Sequence, residues 1–253
     1  MPMTARHVQI PRRVEPLLRA IGRLADERGM RAYAVGGCVR DWLFGLTSTP
    51  DLDVTVEGDG IAVAQAAARA LGGTLTVHRQ FGTATQRLRR QGHGGRPGGP
   101  LRVDFATCRR ETYARPAAYP KVAAGTLGDD LFRRDFTINA IAAALGPARF
   151  GALADPFHGA RDLRQRCLRV LHTRSFLDDP SRLLRGIRFA HRFGLRWEPA
   201  TRRAAREAVA AGALGWLNAG RLRRELDRMR EEPDPLACYE ELAALLNSSS
   251  DAA

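Results

Sequence analysis

Two aspartates one residue apart are the first side chains in this sequence able to do chemistry. In Pro50-Asp-Leu-Asp-Val-Thr-Val56 a β-rich run starts on Asp51 and Asp53, and the two-residue period of a strand puts both carboxylates on one face. Carboxylates that close repel unless a cation lies between them. Hard oxygen donors of this kind suit Mg²⁺, which keeps several waters and binds substrate phosphates alongside. The alternative is a solvated strand edge, where acidic residues are common. A third carboxylate, Asp104 in Leu101-Arg-Val-Asp-Phe-Ala-Thr107, lies on another strand candidate. If the two strands are neighbours, Asp104 completes a metal site or takes a proton from an attacking hydroxyl; otherwise it is a surface acid paired with Arg102 or Arg109.

Three further segments offer anion and base recognition. Tyr33-Ala-Val-Gly-Gly-Cys-Val-Arg-Asp41 runs a short strand through Gly36 and Gly37 into a helix. Such a turn either is merely tight or aims backbone N–H groups and a helix N-terminus at a phosphate, with Arg40 adding a charged fork. Asp129-Asp-Leu-Phe-Arg-Arg-Asp-Phe-Thr-Ile-Asn-Ala140 gathers Arg134, Asp135, Thr137 and Asn139 at the start of an apolar run. Asp135 caps a helix there on the simpler reading, while Arg134, Thr137 and Asn139 would also crowd polar donors beside a phosphate or ribose. Finally, Asp179 precedes Arg182, Arg185 and Arg188, three residues apart along a helical segment. This spacing predicts a shared helix face, solvated and basic by default. Asp179 and Arg182 together also offer the acceptor and planar donor fork that read the edge of a base.

The elements that must hold these groups fall into two parts. Up to about Ala154, glycine turns separate strand candidates at 32–35, 52–56, 74–77, 83–88 and 101–106, with helices at 39–44, 61–71 and 135–145. Beyond it, apolar residues recur at helical spacing over 179–193, 199–211, 219–230 and 235–246. The expected division is residues 1–154, residues 155–247 and a disordered tail at 248–253. The stretch Gln91-Gly-His-Gly-Gly-Arg-Pro-Gly-Gly-Pro100 holds neither period and is expected to be a mobile hairpin loop.

Bulk properties narrow the class. A chain of 253 residues with 44% hydrophobic and 26% charged residues can bury a core. Four scattered cysteines suggest neither a disulfide framework nor a zinc site, and no apolar run is long enough to span a membrane, so a cytoplasmic location is expected. The net charge of +13 suits a polyanionic partner. Because Lys121 is the sole lysine, the arginine excess equally reflects a GC-rich coding bias.

In this order and spacing the motifs resemble those of the class II tRNA nucleotidyltransferases, the CCA-adding enzymes, and the related bacterial poly(A) polymerases. The resemblance runs from about Tyr33 to Leu226. It comprises Gly36–Asp41, Asp51 with Asp53, Arg133–Ala140, the connector Asp155–Leu163, the helix Asp179–Phe189 and Arg221–Leu226. It implies an α+β fold, in which a polymerase-β-like nucleotidyltransferase head (a small mixed sheet with helices) precedes an all-α neck. Asp51 and Asp53 would hold a catalytic Mg²⁺; Asp104, from its strand position alone, is counted as a further catalytic carboxylate. Gly37, Arg40 and Arg134 would bind the nucleotide, joined by Gly36, Asp135 and Asn139 from the reading of the residues themselves; Asp179 and Arg182 would select its base, and Arg185 and Arg188 would contact it too. The implied partners are the 3′ end of tRNA, with CTP and ATP as substrates. Added nucleotides would be C, A, C-C-A or a poly(A) tail, and a non-catalytic RNA-binding module is the reading outside enzymology. Two departures stand out. Asp178 occupies a position usually held by glutamate in that family. The sequence also ends soon after the helical part, so it is expected to be a minimal form, a fragment, or a chain that grips RNA through a partner.

Overall fold

The computed structural model describes residues 7–46, 51–90, 98–118 and 120–247. It comprises two compact units, Met1–Arg110 with Ala123–Arg133 and Asn139–Phe157, and Glu111–Val122 with Arg134–Ile138 and His158–Ala253. Within its described residues no helix is long and apolar enough to cross a membrane.

The first unit is built on strands β1 (Arg31–Val35), β2 (Asp51–Glu57), β3 (Thr74–His78), β4 (Thr83–Arg90) and β5 (Gly98–Thr107). The short strands β6 (Arg109–Thr112) and β7 (Lys121–Ala124) pair where the chain leaves and re-enters this unit, and β8 (Ala142–Ala144) and β9 (Leu153–Ala154) follow. Seven of them form one mixed sheet in the order β3-β4-β5-β2-β1-β8-β9, with β2 and β5 parallel. The sheet forms because its strands alternate. Leu52, Val54 and Val56 of β2 and Leu101, Val103 and Phe105 of β5 are at most 5% exposed, while Asp51, Asp53 and Arg102 point the other way into solvent. Each such burial contributes about 1.5–3 kcal/mol, and slipping either strand by one residue would forfeit all three at once.

Helices α1 (Glu15–Asp26) and α3 (Gly60–Leu71) bury Leu18, Ile21, Val63, Ala64 and Ala67, with α2 (Gly37–Leu43) after β1 and α4 (Leu127–Phe132) before Arg133. The approach of α1 is close. A Cβ on Gly22 would lie 1.8 Å from the Leu145 carbonyl oxygen, so only glycine permits this packing.

Two sequence expectations fail here. The predicted helix over 135–145 is instead a single 3₁₀ turn, Thr137–Asn139, followed by β8. Its residues from Phe136 to Ala143 are all buried, so no polar face exists to reveal a period. Ala142–Ala144 complete the ladder with Tyr33–Val35, which outweighs alanine's helix preference. The loop expected to reach residue 100 gives way to β5 at Gly98, while 91–97 and the tail at 248–253 lie outside the described residues.

The second unit is mainly helical: α5 (Gly159–Arg164), α6 (Ser175–Asp178), α7 (Ser181–Phe193), α8 (Pro199–Ala210), α9 (Ala219–Arg230) and α10 (Pro235–Asn247). A two-residue parallel pair, β10 (Cys167–Leu168) with β11 (Arg196–Trp197), joins them. Start signals are chemical. Glu198 accepts from Thr201 N at 2.7 Å ahead of α8, and Asn218 Oδ1 accepts from Arg221 N at 2.9 Å ahead of α9. Leu184, Ile187, Met229 and Cys238 form a core cluster with Leu222, Leu226 and Leu242 against it, and Phe136 stands edge-on to Phe189 at 6.0 Å.

Candidate active site

In the first unit the parallel register of β2 and β5 pairs Asp53 with Asp104 and Asp51 with Arg102. Three carboxylates therefore share one face of two adjacent strands, with Asp51 and Asp53 exposed and Asp104 half-buried. Both alternatives raised for Asp104 coexist. It neighbours the aspartate pair across the ladder, and it also accepts from Arg102 Nε at 2.9 Å. From the other side Thr85, its partner in the β4–β5 register, donates Oγ1 at 2.5 Å. Thr85 was missed in the sequence because only register, not spacing, places it there. Among the described residues no group of three His, Cys, Asp or Glu side chains is placed to hold a metal ion together. The donors present fit a cation that takes one or two carboxylates and completes its shell with water and phosphate, as Mg²⁺ does.

The glycine turn is real and conformationally demanding. Gly36 has φ +72° and ψ −130°, a combination reserved for glycine, and its N–H donates to the Ile141 carbonyl at 3.2 Å while α2 starts from it. Arg40 points inward. Only 6% exposed, it donates Nη1 to Asn139 Oδ1 at 2.7 Å and Nε and Nη2 to Asp41 Oδ1 at 2.9 and 2.7 Å. The structure thus unites two predicted site residues ninety-nine positions apart, through each other. The turn after β1 is thus locked to Asn139.

In the second unit the arginine row does not share one face. Three residues rotate a helix by about 300°, so successive positions drift by about 60°, and each guanidinium finds a different partner. Arg182, 5% exposed, donates Nη1 to Ser175 Oγ at 2.7 Å. Arg185 places Nε 2.9 Å and Nη2 2.5 Å from Asp135 Oδ2, so Asp135 clamps an arginine rather than capping a helix. Opposite charge dominates there and holds Arg185 above its ordinary pKa. Arg188, 7% exposed, reaches Glu232 at 2.8 Å and Glu225 at 3.2 Å, an interior ion-pair position in place of the expected open basic face. Arg134, next to Asp135, is half-buried.

Asp179 gathers three donors on one carboxylate oxygen. Its Oδ1 accepts from Ser181 N at 3.1 Å, Ser181 Oγ at 2.6 Å and Arg221 Nη2 at 2.7 Å. Arg221 sits forty-two residues away on α9, where the sequence showed a motif without its contact. Tyr113 lies within electrostatic reach of Arg182 and Asp179, and donates to Glu111 Oε2 at 3.0 Å. Burial, then the Glu111 charge, pushes its phenol up to about 12 from an ordinary 10, with Arg182 opposing. The native state therefore retains a proton that the unfolded chain loses, and the associated stability disappears as pH rises from 10 towards about 12. In an alkaline absorbance titration Tyr113→Phe is expected to remove an ionisation step near pH 12; an unchanged curve would contradict this environment.

A sheet carrying paired carboxylates beside a glycine turn, with a helical unit bearing an aspartate–arginine pair, defines the nucleotidyltransferase class. Residues 32–169 match the family described as the poly A polymerase head domain, and the chain belongs to this family. It is 40% identical over 231 residues to an A-adding tRNA nucleotidyltransferase of Halalkalibacterium halodurans, covering 90% of this chain and 52% of that protein. To a CC-adding tRNA nucleotidyltransferase of Deinococcus radiodurans it is 39% identical over 201 residues, covering 79% and 50%. The solved structure of a CCA-adding enzyme in apo form II superposes with a TM-score of 0.85 at 43% identity, over 93% of this chain and 53% of that one. The fold is accordingly a polymerase-β-like head with a helical C-terminal region. The chain spans about half the length of these relatives.

Proposed function

We propose that this chain carries the catalytic and nucleotide-selecting parts of a template-independent RNA nucleotidyltransferase that adds CMP or AMP from CTP or ATP to the 3′ end of tRNA. The observation that carries this reading is the exposed Asp51–Asp53 pair on β2, in register with Asp104 on β5. Asp51 and Asp53 would hold Mg²⁺, which when bound supplies charge neutralisation at the α-phosphate and acidifies the attacking hydroxyl. The RNA 3′ oxygen forms a bond to the α-phosphorus as the bond to the β-phosphate oxygen breaks; pyrophosphate leaves, and the hydroxyl proton passes to a base. Asp104, braced by Thr85 and Arg102, would take that proton. Gly36 and Gly37 open α2 toward the phosphates, with Arg40 and Asn139 fixing the turn behind them. Arg134 would contact the phosphates or ribose.

Base choice falls to Asp179 and Arg182. All three hydrogen bonds described on Asp179 use Oδ1, which leaves Oδ2 to accept from a base amino group. The A-adding name of the Halalkalibacterium relative favours AMP as the nucleotide added, and the CC-adding name of the Deinococcus relative keeps CMP as the second reading. Supplying tRNA transcripts that end before, within and after C-C-A with each NTP alone decides between them. Failure to extend any transcript refutes the enzyme reading.

Asp179→Ala is expected to blunt discrimination between ATP and CTP by about five- to a hundredfold, as one unpaired base group is worth about 1–3 kcal/mol. If the parental preference survives while affinity falls equally for both, Asp179 contacts something other than the base.

A further inference from the structure

A groove of about 590 Å³ on the second unit is lined by Arg115, Pro116, Ala117 and Ala118 on one side and by Trp216, Leu217, Asn218 and Arg221 on the other. Apart from Arg221, which holds Asp179, none of these enters the reaction derived above. We propose that this groove binds one unpaired nucleotide of the RNA substrate, its base stacked on the Trp216 indole and its phosphate held by Arg115. This deepens the reading of the chain as an RNA-extending enzyme and rests on it.

The tryptophan is displayed, not left over from the core. It ends a 3₁₀ turn, Ala213–Trp216, between two anchors, Ala213 at 0% and Leu217 at 8% exposed, yet is itself 43% exposed. Anchored neighbours and the Leu217 N–H bond to the Leu214 carbonyl at 3.2 Å fix the turn, so the ring is presented at little entropic cost. Opposite it, the 115–118 wall carries a conformation that alanine rarely adopts. Ala117 has φ +54°, held by its N–H bond to the Leu177 carbonyl at 3.0 Å and by Ala118 N to Arg115 O at 3.2 Å. Such strain persists only where the surroundings fix it.

The chemistry of the lining selects the ligand. An exposed indole and two arginines lining one groove suit a flat base joined to an anion, and the volume admits one nucleotide. A paired base would have both faces covered, so the occupant is single-stranded, as an RNA 3′ end is. An acidic peptide would satisfy the arginines but gain less from the indole. Arg221 links the groove to base selection, since its Nη2 lies 2.7 Å from Asp179 Oδ1 and 3.3 Å from Ser181 Oγ. A nucleotide in the groove therefore sits one side chain away from the residue proposed to choose the next one.

The test is fluorescence anisotropy of the full chain with a labelled single-stranded RNA hexamer, with a blunt RNA duplex of equal length as the control. Trp216→Ala is expected to weaken hexamer binding about tenfold and Trp216→Phe by no more than about threefold. Duplex binding should be unchanged in both. Arg115→Gln is expected to lower the slope of log affinity against log salt by about 0.7 for the hexamer. Melting curves of the variants check folding. Hexamer affinity unchanged in a folded Trp216→Ala protein overturns the proposal, as does equal weakening toward the duplex, which would mark a general electrostatic surface. Incorporation by the parent chain is read separately. An inert parent whose hexamer binding still depends on Trp216 defeats the enzymatic reading but not the groove; an active parent with no such dependence defeats the groove alone.

Discussion

Asp51→Asn and Asp53→Asn are each expected to cut nucleotide incorporation by about a thousandfold or more while leaving the fold intact. Each substitution removes one negative charge from the proposed two-carboxylate cation site, where charge stabilisation of phosphoryl transfer would supply most of the rate. Both side chains are exposed, and the β2 residues that hold the sheet are Leu52, Val54 and Val56 on the opposite face. A surface change of this kind alters stability by about 0.5 kcal/mol or less, a shift of about 1–2 °C in Tm for a chain of this size. The decisive measurement is single-turnover incorporation into a tRNA transcript at saturating NTP and Mg²⁺, beside a melting curve. Turnover within tenfold of the parent in either variant would remove these carboxylates from the chemistry. Loss of activity with a large drop in Tm would instead make them structural.

Five of the seven sheet strands, β1 to β5, and the four long helices of the second unit could be read from the sequence because each has a dry face and a wet face, and alternation or helical spacing records the difference. The stretch from Phe136 to Ala143 could not, since burial on all sides erases the period that distinguishes helix from strand. Site residues divide in the same way. Asp51 and Asp53 are visible because their partner is two residues away. The Arg40–Asn139, Asp135–Arg185 and Asp179–Arg221 pairs span ninety-nine, fifty and forty-two residues, and local spacing carries no trace of them. Charge patterning misled at Arg188. An arginine every third residue looks like a solvated row, but the acids that turn it inward, Glu225 and Glu232, lie on and beyond another helix. Glycine at position 36 was legible as a turn, whereas its specific φ and ψ, and so the reason no other residue serves, required coordinates.

That inward turn supplies the largest expected effect on stability. The Glu232 side chain is fully buried and accepts from Arg188 Nε at 2.8 Å and from Arg192 at 2.6 and 2.7 Å, binding α7 to the turn between α9 and α10. Glu232→Gln keeps the volume but withdraws the charge that the two guanidinium groups share, and the amide presents an N–H where a donor already points. Arg192 is 38% exposed and can turn toward water; Arg188, with a side chain 9% exposed, cannot, and retains only Glu225 at 3.2 Å. Breaking one side of a buried pair costs about 3–5 kcal/mol because the surviving charge stays desolvated. With the partial exposure of Arg192 the lower end applies, about 3 kcal/mol, or roughly 6–12 °C in Tm. Coulombic attraction and desolvation nearly cancel in an intact pair, so removing both partners together should hurt far less than removing one. Arg188→Met combined with Glu232→Gln is therefore expected to recover part of the loss. A Tm for Glu232→Gln within about 2 °C of the parent would show that water or Arg192 neutralises the site. A double variant as unstable as the sum of the singles would show that the two residues stabilise the helices independently.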